Sequence, residues 1–234
     1  MARANLIAVA LVAGLATSSS LASKARAVEP LALSVQFSWS ETRALETVTD
    51  LGFTVRLDRA EVTSAGFALV PCADQKSARR VSPGDPAILR IGHFSGALPN
   101  QLPFERFESL TARRPFVIEG FDPPDIEYCE AHLVMGAARG GLTLTIEGGY
   151  RALGDETWRA FAAATPEAYG AFVPLLSPNG ETFRGRLGPI RSVSVVRPAA
   201  RWFDGLDLRA VSGVAIGHAV LRRIANDTKV TLGP

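Results

Sequence analysis

The sequence predicts a mainly β fold, an antiparallel β-sandwich with a few short helices and one disulfide. Short runs alternating apolar and polar residues recur along the chain, punctuated by 21 glycines and 15 prolines, while helix-period stretches are few. The only two cysteines, Cys72 and Cys129, each lie in a strand-like run.

The first segment reads as a removable leader. Arg3 supplies a positive start, Leu6 to Ala16 an apolar run of 11 residues, and Ala25-Arg26-Ala27 an A-x-A cleavage pattern. The run is shorter than the ~20 residues a spanning helix requires, and no later stretch reaches that length. No cysteine follows it to accept a lipid. Cleavage after Ala22 is the alternative. The expected organisation is a signal peptide over 1–27 and one β-sandwich domain over 28–234, exported to the periplasm or the extracellular space, with no transmembrane segment in the mature chain.

Removing the leader takes away Arg3, Lys24 and Arg26 and no acidic residue, leaving 22 basic against 23 acidic side chains. Arg79-Arg80, Arg113-Arg114 and Arg222-Arg223 are isolated pairs, unlike the clustered excess a polyanion binder carries, so no nucleic-acid partner is expected. Two cysteines in an exported chain are most simply one disulfide, the alternatives being two free thiols or a thiolate metal site. A bridge spanning 57 positions would stabilise the fold by roughly 4 kcal/mol on chain-entropy grounds.

Leu31 to Ser40 carries the cleanest alternation: Leu33, Val35, Phe37 and Trp39 on one face, Ser34, Gln36, Ser38 and Ser40 on the other. Phe53, Val55 and Leu57 repeat it, and after a bend at Gly66 the run Phe67 to Val70 leads to Cys72. Ala73 to Arg114, with Pro83, Pro86, Pro99 and Pro103, reads as a long irregular loop of the kind that carries function. Phe116 to Phe121 reads as a strand. In Tyr128 to Met135, Cys129, Ala131, Leu133 and Met135 share one face; Glu130, His132 and Val134 share the other. Gly140-Gly141 turns the chain into Leu142, Leu144 and Ile146.

Asp155 to Thr165 predicts a helix, capped by Asp155, rich in alanine and stopped by Pro166. Thr182 to Leu187 and Ile190 to Val196 predict a strand pair, Pro198 to Gly205 a short helical turn, and His218 to Asn226 a helix with Val220, Leu221 and Ile224 at helical spacing.

The chemistry-bearing residues are few. His93, His132 and His218 are the three histidines, and imidazoles scattered in sequence can build a copper or zinc site. His93 in the long loop and His132 on a polar strand face are candidates to converge, with Glu130 on the same face. Met135 points the other way. No two histidines stand at i, i+4 or in an H-x-H pair, so lone surface or capping histidines are the competing reading. G-x-S-x-G, H-E-x-x-H, a P-loop and G-x-G-x-x-G are absent, so no catalytic residue is assigned and no enzyme is expected. Trp39 reads as core, Trp158 and Trp202 as helix-borne. Arg201-Trp202-Phe203-Asp204 reads as a plug closing one end of the sandwich, or else as an aromatic platform for a ligand.

The order L-G-F-T-V-x-L-x-x-A before Cys72, Y-C-x-x-x-L-V at Tyr128 to Val134 and R-W-F-D-G at Arg201 to Gly205 resembles the MbnP-like family of exported, copper-associated β-sandwich proteins. That resemblance implies a β-sandwich and, as in some members, a Cu(I) site of histidines beside an oxidised tryptophan made by an exported redox partner, a di-haem enzyme. The long loop holds His93 alone where such relatives show several histidines, so no ligand is transferred residue by residue. Two functions follow as expectations: a non-enzymatic exported binding protein holding copper through His93 and His132 with His218, or a structural or surface-interaction module with no metal or small-molecule ligand.

Overall fold

The alternation in the first strand decides its face. In a computed structural model, which describes residues 32–40, 46–72, 98–112, 114–137, 141–198 and 201–234, β1 (Leu33–Trp39) buries Leu33, Val35, Phe37 and Trp39 and exposes Gln36. Side chains two apart point the same way, so one pleat face becomes core. The leader reading (Met1 to Ala27) and His93 lie outside the described residues.

β2 (Glu46–Val48) is short and precedes the spine of the fold, β3 (Phe53–Pro71), a single strand of 19 residues. The expected break at Gly66 is a register shift between Ser64 and Gly66, so the chain bends and stays paired. β4 (Gln101–Ser109) runs antiparallel to β3 from Glu61 to Ala68. On the other edge, β3 pairs first with β7 (Leu144–Ala152) along Phe53 to Val62, then with β6 (Glu127–Met135) along Ser64 to Pro71. The remaining strands are β5 (Phe116–Phe121), β8 (Arg159–Thr165), β9 (Tyr169–Leu176), β10 (Gly185–Arg186), β11 (Ser192–Arg197) and β12 (Lys229–Gly233).

They join into one 12-stranded sheet of order β5-β1-β11-β12-β9-β6-β3-β7-β8, with β2 and β4 on β3 and β10 on β6. Two neighbours are parallel, β1 with β11 and β12 with β9, which corrects the all-antiparallel expectation. A twisted sheet this long curls rather than staying open. Phe37 of β1 and Phe121 of β5 accordingly return to meet Phe67 of β3, at ring-centroid distances of 6.4 and 5.9 Å. The mainly β fold is therefore a curled half-barrel sheet. Residues Leu31–Pro234 make one compact unit.

Among the described residues there is one helix, α1 (Gly213–Asn226). Ser212 caps it, its hydroxyl accepting from the Ala215 N–H at 3.3 Å. Ile216, Val220, Leu221 and Ile224 face the sheet. Gly213 and Gly217 let the helix settle on β8: a Cβ at Gly213 would stand 2.4 Å from the Ala162 carbonyl oxygen. No helix among the described residues is long and apolar enough to cross a membrane.

Three element readings are corrected. The alanine-rich helix expected over Asp155 to Thr165 is β8, because its small side chains form the floor on which α1 packs and tertiary contact overrides propensity. Trp158 consequently stands just before a strand, held between the guanidiniums of Arg56 and Arg151 at 4.9 and 4.7 Å from its ring. The long loop contains β4, which Pro103 and the absence of clean alternation hide in the sequence. Residues 202–205 form a turn instead of a helical stretch, so Trp202 is not helix-borne.

Candidate functional site

The Cys72–Cys129 disulfide is present, with Cα atoms 5.1 Å apart, and it fastens the end of β3 to β6. The face assignment on β6 holds: Cys129, Ala131, Leu133 and Met135 are buried, and Glu130, His132 and Val134 are half-buried.

His132 is packed as an aromatic. Its ring stacks on Phe172, its cross-strand neighbour on β9, with centroids 4.4 Å apart and planes 9° apart. Gly170 makes room for it, since a Cβ there would stand 2.8 Å from His132 Nε2. His218 sits on α1 with Nε2 3.4 Å from Glu167 Oε2, in a pair whose side chains are 31% and 64% exposed. Such an exposed pair contributes little. Among the described residues no three His, Cys, Asp or Glu side chains are grouped as metal ligands.

The aromatic side chains of the R-W-F-D-G stretch are buried in the core. Trp202 and Phe203 are 0% and 1% exposed, and Trp202 Nε1–H donates to the Pro198 carbonyl at 2.5 Å. Its last two residues lock onto the turn before β3: the Gly205 N–H donates to Asp50 Oδ1 at 2.6 Å, and the Asp50 N–H donates to Asp204 Oδ1 at 3.2 Å. Gly205 has φ +70°, a left-handed conformation glycine adopts without strain.

The most unusual chemistry is a buried charge cluster absent from the sequence reading. Arg197 on β11 places Nη2 3.2 Å from Glu108 Oε1 on β4, with the two side chains 2% and 3% exposed. The same nitrogen donates to Ser64 Oγ of β3 at 2.7 Å, and Ser64 Oγ–H donates to Glu108. The guanidinium lies 5.5 Å from the Trp39 ring and 5.8 Å from the Phe37 ring, and Trp39 meets Trp202 edge-on at 5.6 Å. Burial pushes the Arg197 pKa down, and the Glu108 charge opposes that fall.

Arg197 Nε and Nη1 have no hydrogen-bond partner among the described residues. They lie on opposite sides of the guanidinium and cannot together grip a carboxylate in the two-pronged way Arg uses for anions. Sealed inside the sheet, the cluster is closed to a dissolved substrate. Its effect is to tie β3, β4 and β11 together across the interior. Parity could have found it, because Arg197 follows Val193 and Val195 on one face and Glu108 follows Leu102 and Phe104.

No family model matches the chain, nor does any curated protein or solved structure. The likeness to the MbnP-like family therefore rests on the quoted residues alone.

Proposed function

We propose that the protein is an exported structural or surface-interaction β-module that works without catalysis and without a metal or small-molecule ligand. The observation supporting this most directly is the use to which its polar side chains are put. Arg197, Glu108 and Ser64 hold strands together out of reach of solvent, and Asp50 and Asp204 lock a turn. Among the described residues no trio of metal ligands stands together. Export is supported by the leader-like sequence of Met1 to Ala27 and by the disulfide, a bond that oxidising compartments preserve.

The test is metal analysis of the protein purified from the periplasm after expression with its leader, beside a His93→Ala/His132→Ala/His218→Ala variant. Substoichiometric metal, equal in both, is the expected result. Stoichiometric copper in the natural chain, lost in the variant, would overturn the module in favour of a copper protein served by an exported redox partner.

A further inference from the structure

The disulfide has an asymmetry that a simple staple does not require. Cys129 is 5% exposed, whereas Cys72 at the end of β3 is only half-buried. Against the buried sulfur stands a cation: Arg184 Nε–H donates to Cys129 Sγ at 3.2 Å. Backbone pairing puts it there. β10 runs antiparallel to β6 with Gly185 opposite Tyr128 and Arg186 opposite Glu127, so the next step of the ladder sets Arg184 beside Cys129. The neighbouring Arg186 is engaged with Asp125 at 3.2 Å. Among the described residues Arg184 has no carboxylate within ion-pair distance.

Thiol–disulfide exchange depends on which sulfur is reached and on how well the other leaves. A leaving sulfur departs faster when its thiolate is stabilised, and an adjacent guanidinium stabilises a thiolate by charge and by hydrogen bonding. Here the two requirements fall on different atoms: access favours Cys72, and stabilisation favours departure of Cys129.

We propose that Cys72 is a site of S-thiolation by low-molecular-weight thiols, with Cys129 as the leaving thiolate held by Arg184. The incoming thiolate forms a bond to Cys72 Sγ as the Cys72–Cys129 bond breaks. The electron pair of that bond goes to Cys129 Sγ, which Arg184 Nε–H then stabilises as an anion. One thiolate is consumed and one is released, so no outside oxidant or reductant enters. Arg184 is a positioning and charge-stabilising residue for the bond's reactivity, and the bond both braces the fold and opens in one direction. This holds whether or not the protein is the metal-free module proposed above.

The experiment uses the full oxidised chain with excess reduced glutathione at pH 7.5, acid-quenched at intervals and mapped by peptide mass spectrometry. In the natural chain the majority glutathione adduct is expected on Cys72, with Cys129 as a free thiol. Arg184→Gln should slow adduct formation about fivefold or more, and Arg184→Lys, which keeps the charge, should recover most of that rate. A majority adduct on Cys129 overturns the proposal, as does an Arg184→Gln rate equal to or above that of the natural chain. Should circular dichroism show that Arg184→Gln has lost its fold, the adduct position in the natural chain decides alone.

Discussion

Arg197 and Glu108 meet at 3.2 Å inside the curled sheet, joining β11 to β4 with both side chains almost wholly out of water. Removing either partner leaves the other charge buried and uncompensated. Glu108→Gln and Arg197→Met are each expected to cost about 3–5 kcal/mol, while Glu108→Leu/Arg197→Met lies closer to the natural chain than either single variant. Urea unfolding followed by circular dichroism checks the ordering. A double variant as unstable as the sum of the singles would show that the aromatic contacts of the guanidinium, and not the ion pair, dominate.

Tyr128 gives the fold a defined weakness to alkali. Burial, assisted by the Asp125 charge, pushes its hydroxyl up from 10.0 to about 12, and that hydroxyl donates to the Pro124 carbonyl at 2.9 Å. Below pH 10 both folded and unfolded states keep the proton and the stabilisation is complete. Between pH 10 and about 12 the unfolded chain releases it first, so stability falls across the window. Tyr128→Phe should lack this component, visible as a smaller loss in urea midpoint between pH 9 and pH 12 than in the natural chain.

The parts of this architecture legible in the sequence are those where one face is dry and one wet. β1 and β6 show that contrast residue by residue, and the core positions of α1 recur at helical spacing. β8 was hidden because Ala162, Ala163 and Ala164 favour a helix by themselves; their strand role depends on α1 resting on them. β4 was hidden by Pro103 and by the charged run Glu105-Arg106. The curl of the sheet is a property of how distant strands meet, Phe37 against Phe67 for example, which no local pattern encodes. At the candidate site the sequence pointed to rare residue types, the histidines, while the structure invests in common ones. Arg197 and Glu108 were readable only by trusting parity over polarity.

The glycines of α1 separate close approach from mere smallness. A Cβ at Gly213 would stand 2.4 Å from backbone oxygen of Ala162, while one at Gly217 meets Ala164 at 3.4 Å. Gly213→Ala therefore forces the helix off the sheet and should cost about 2 kcal/mol or more. Gly217→Ala should fall within about 1 kcal/mol of neutral, helix propensity offsetting the tighter contact. Thermal melts of the two variants decide it; equal losses would mean that the helix shifts freely on β8.

Closing a loop of 57 positions limits the unfolded chain, so the Cys72→Ala/Cys129→Ala variant should lose about 4 kcal/mol by urea unfolding. A loss below about 1 kcal/mol would place the bond's importance in its reactivity and not in stability.

Strand β1 is made early and completed late. Its two neighbours in the sheet are Phe116–Phe121 and, in parallel, Ser192–Arg197. A polypeptide emerging N terminus first from a ribosome thus presents Val35, Phe37 and Trp39 to water while their sheet neighbours are still to be synthesised. Closure waits for Ser192–Arg197, and until then the apolar face of β1 is available to a chaperone or to another copy of the chain.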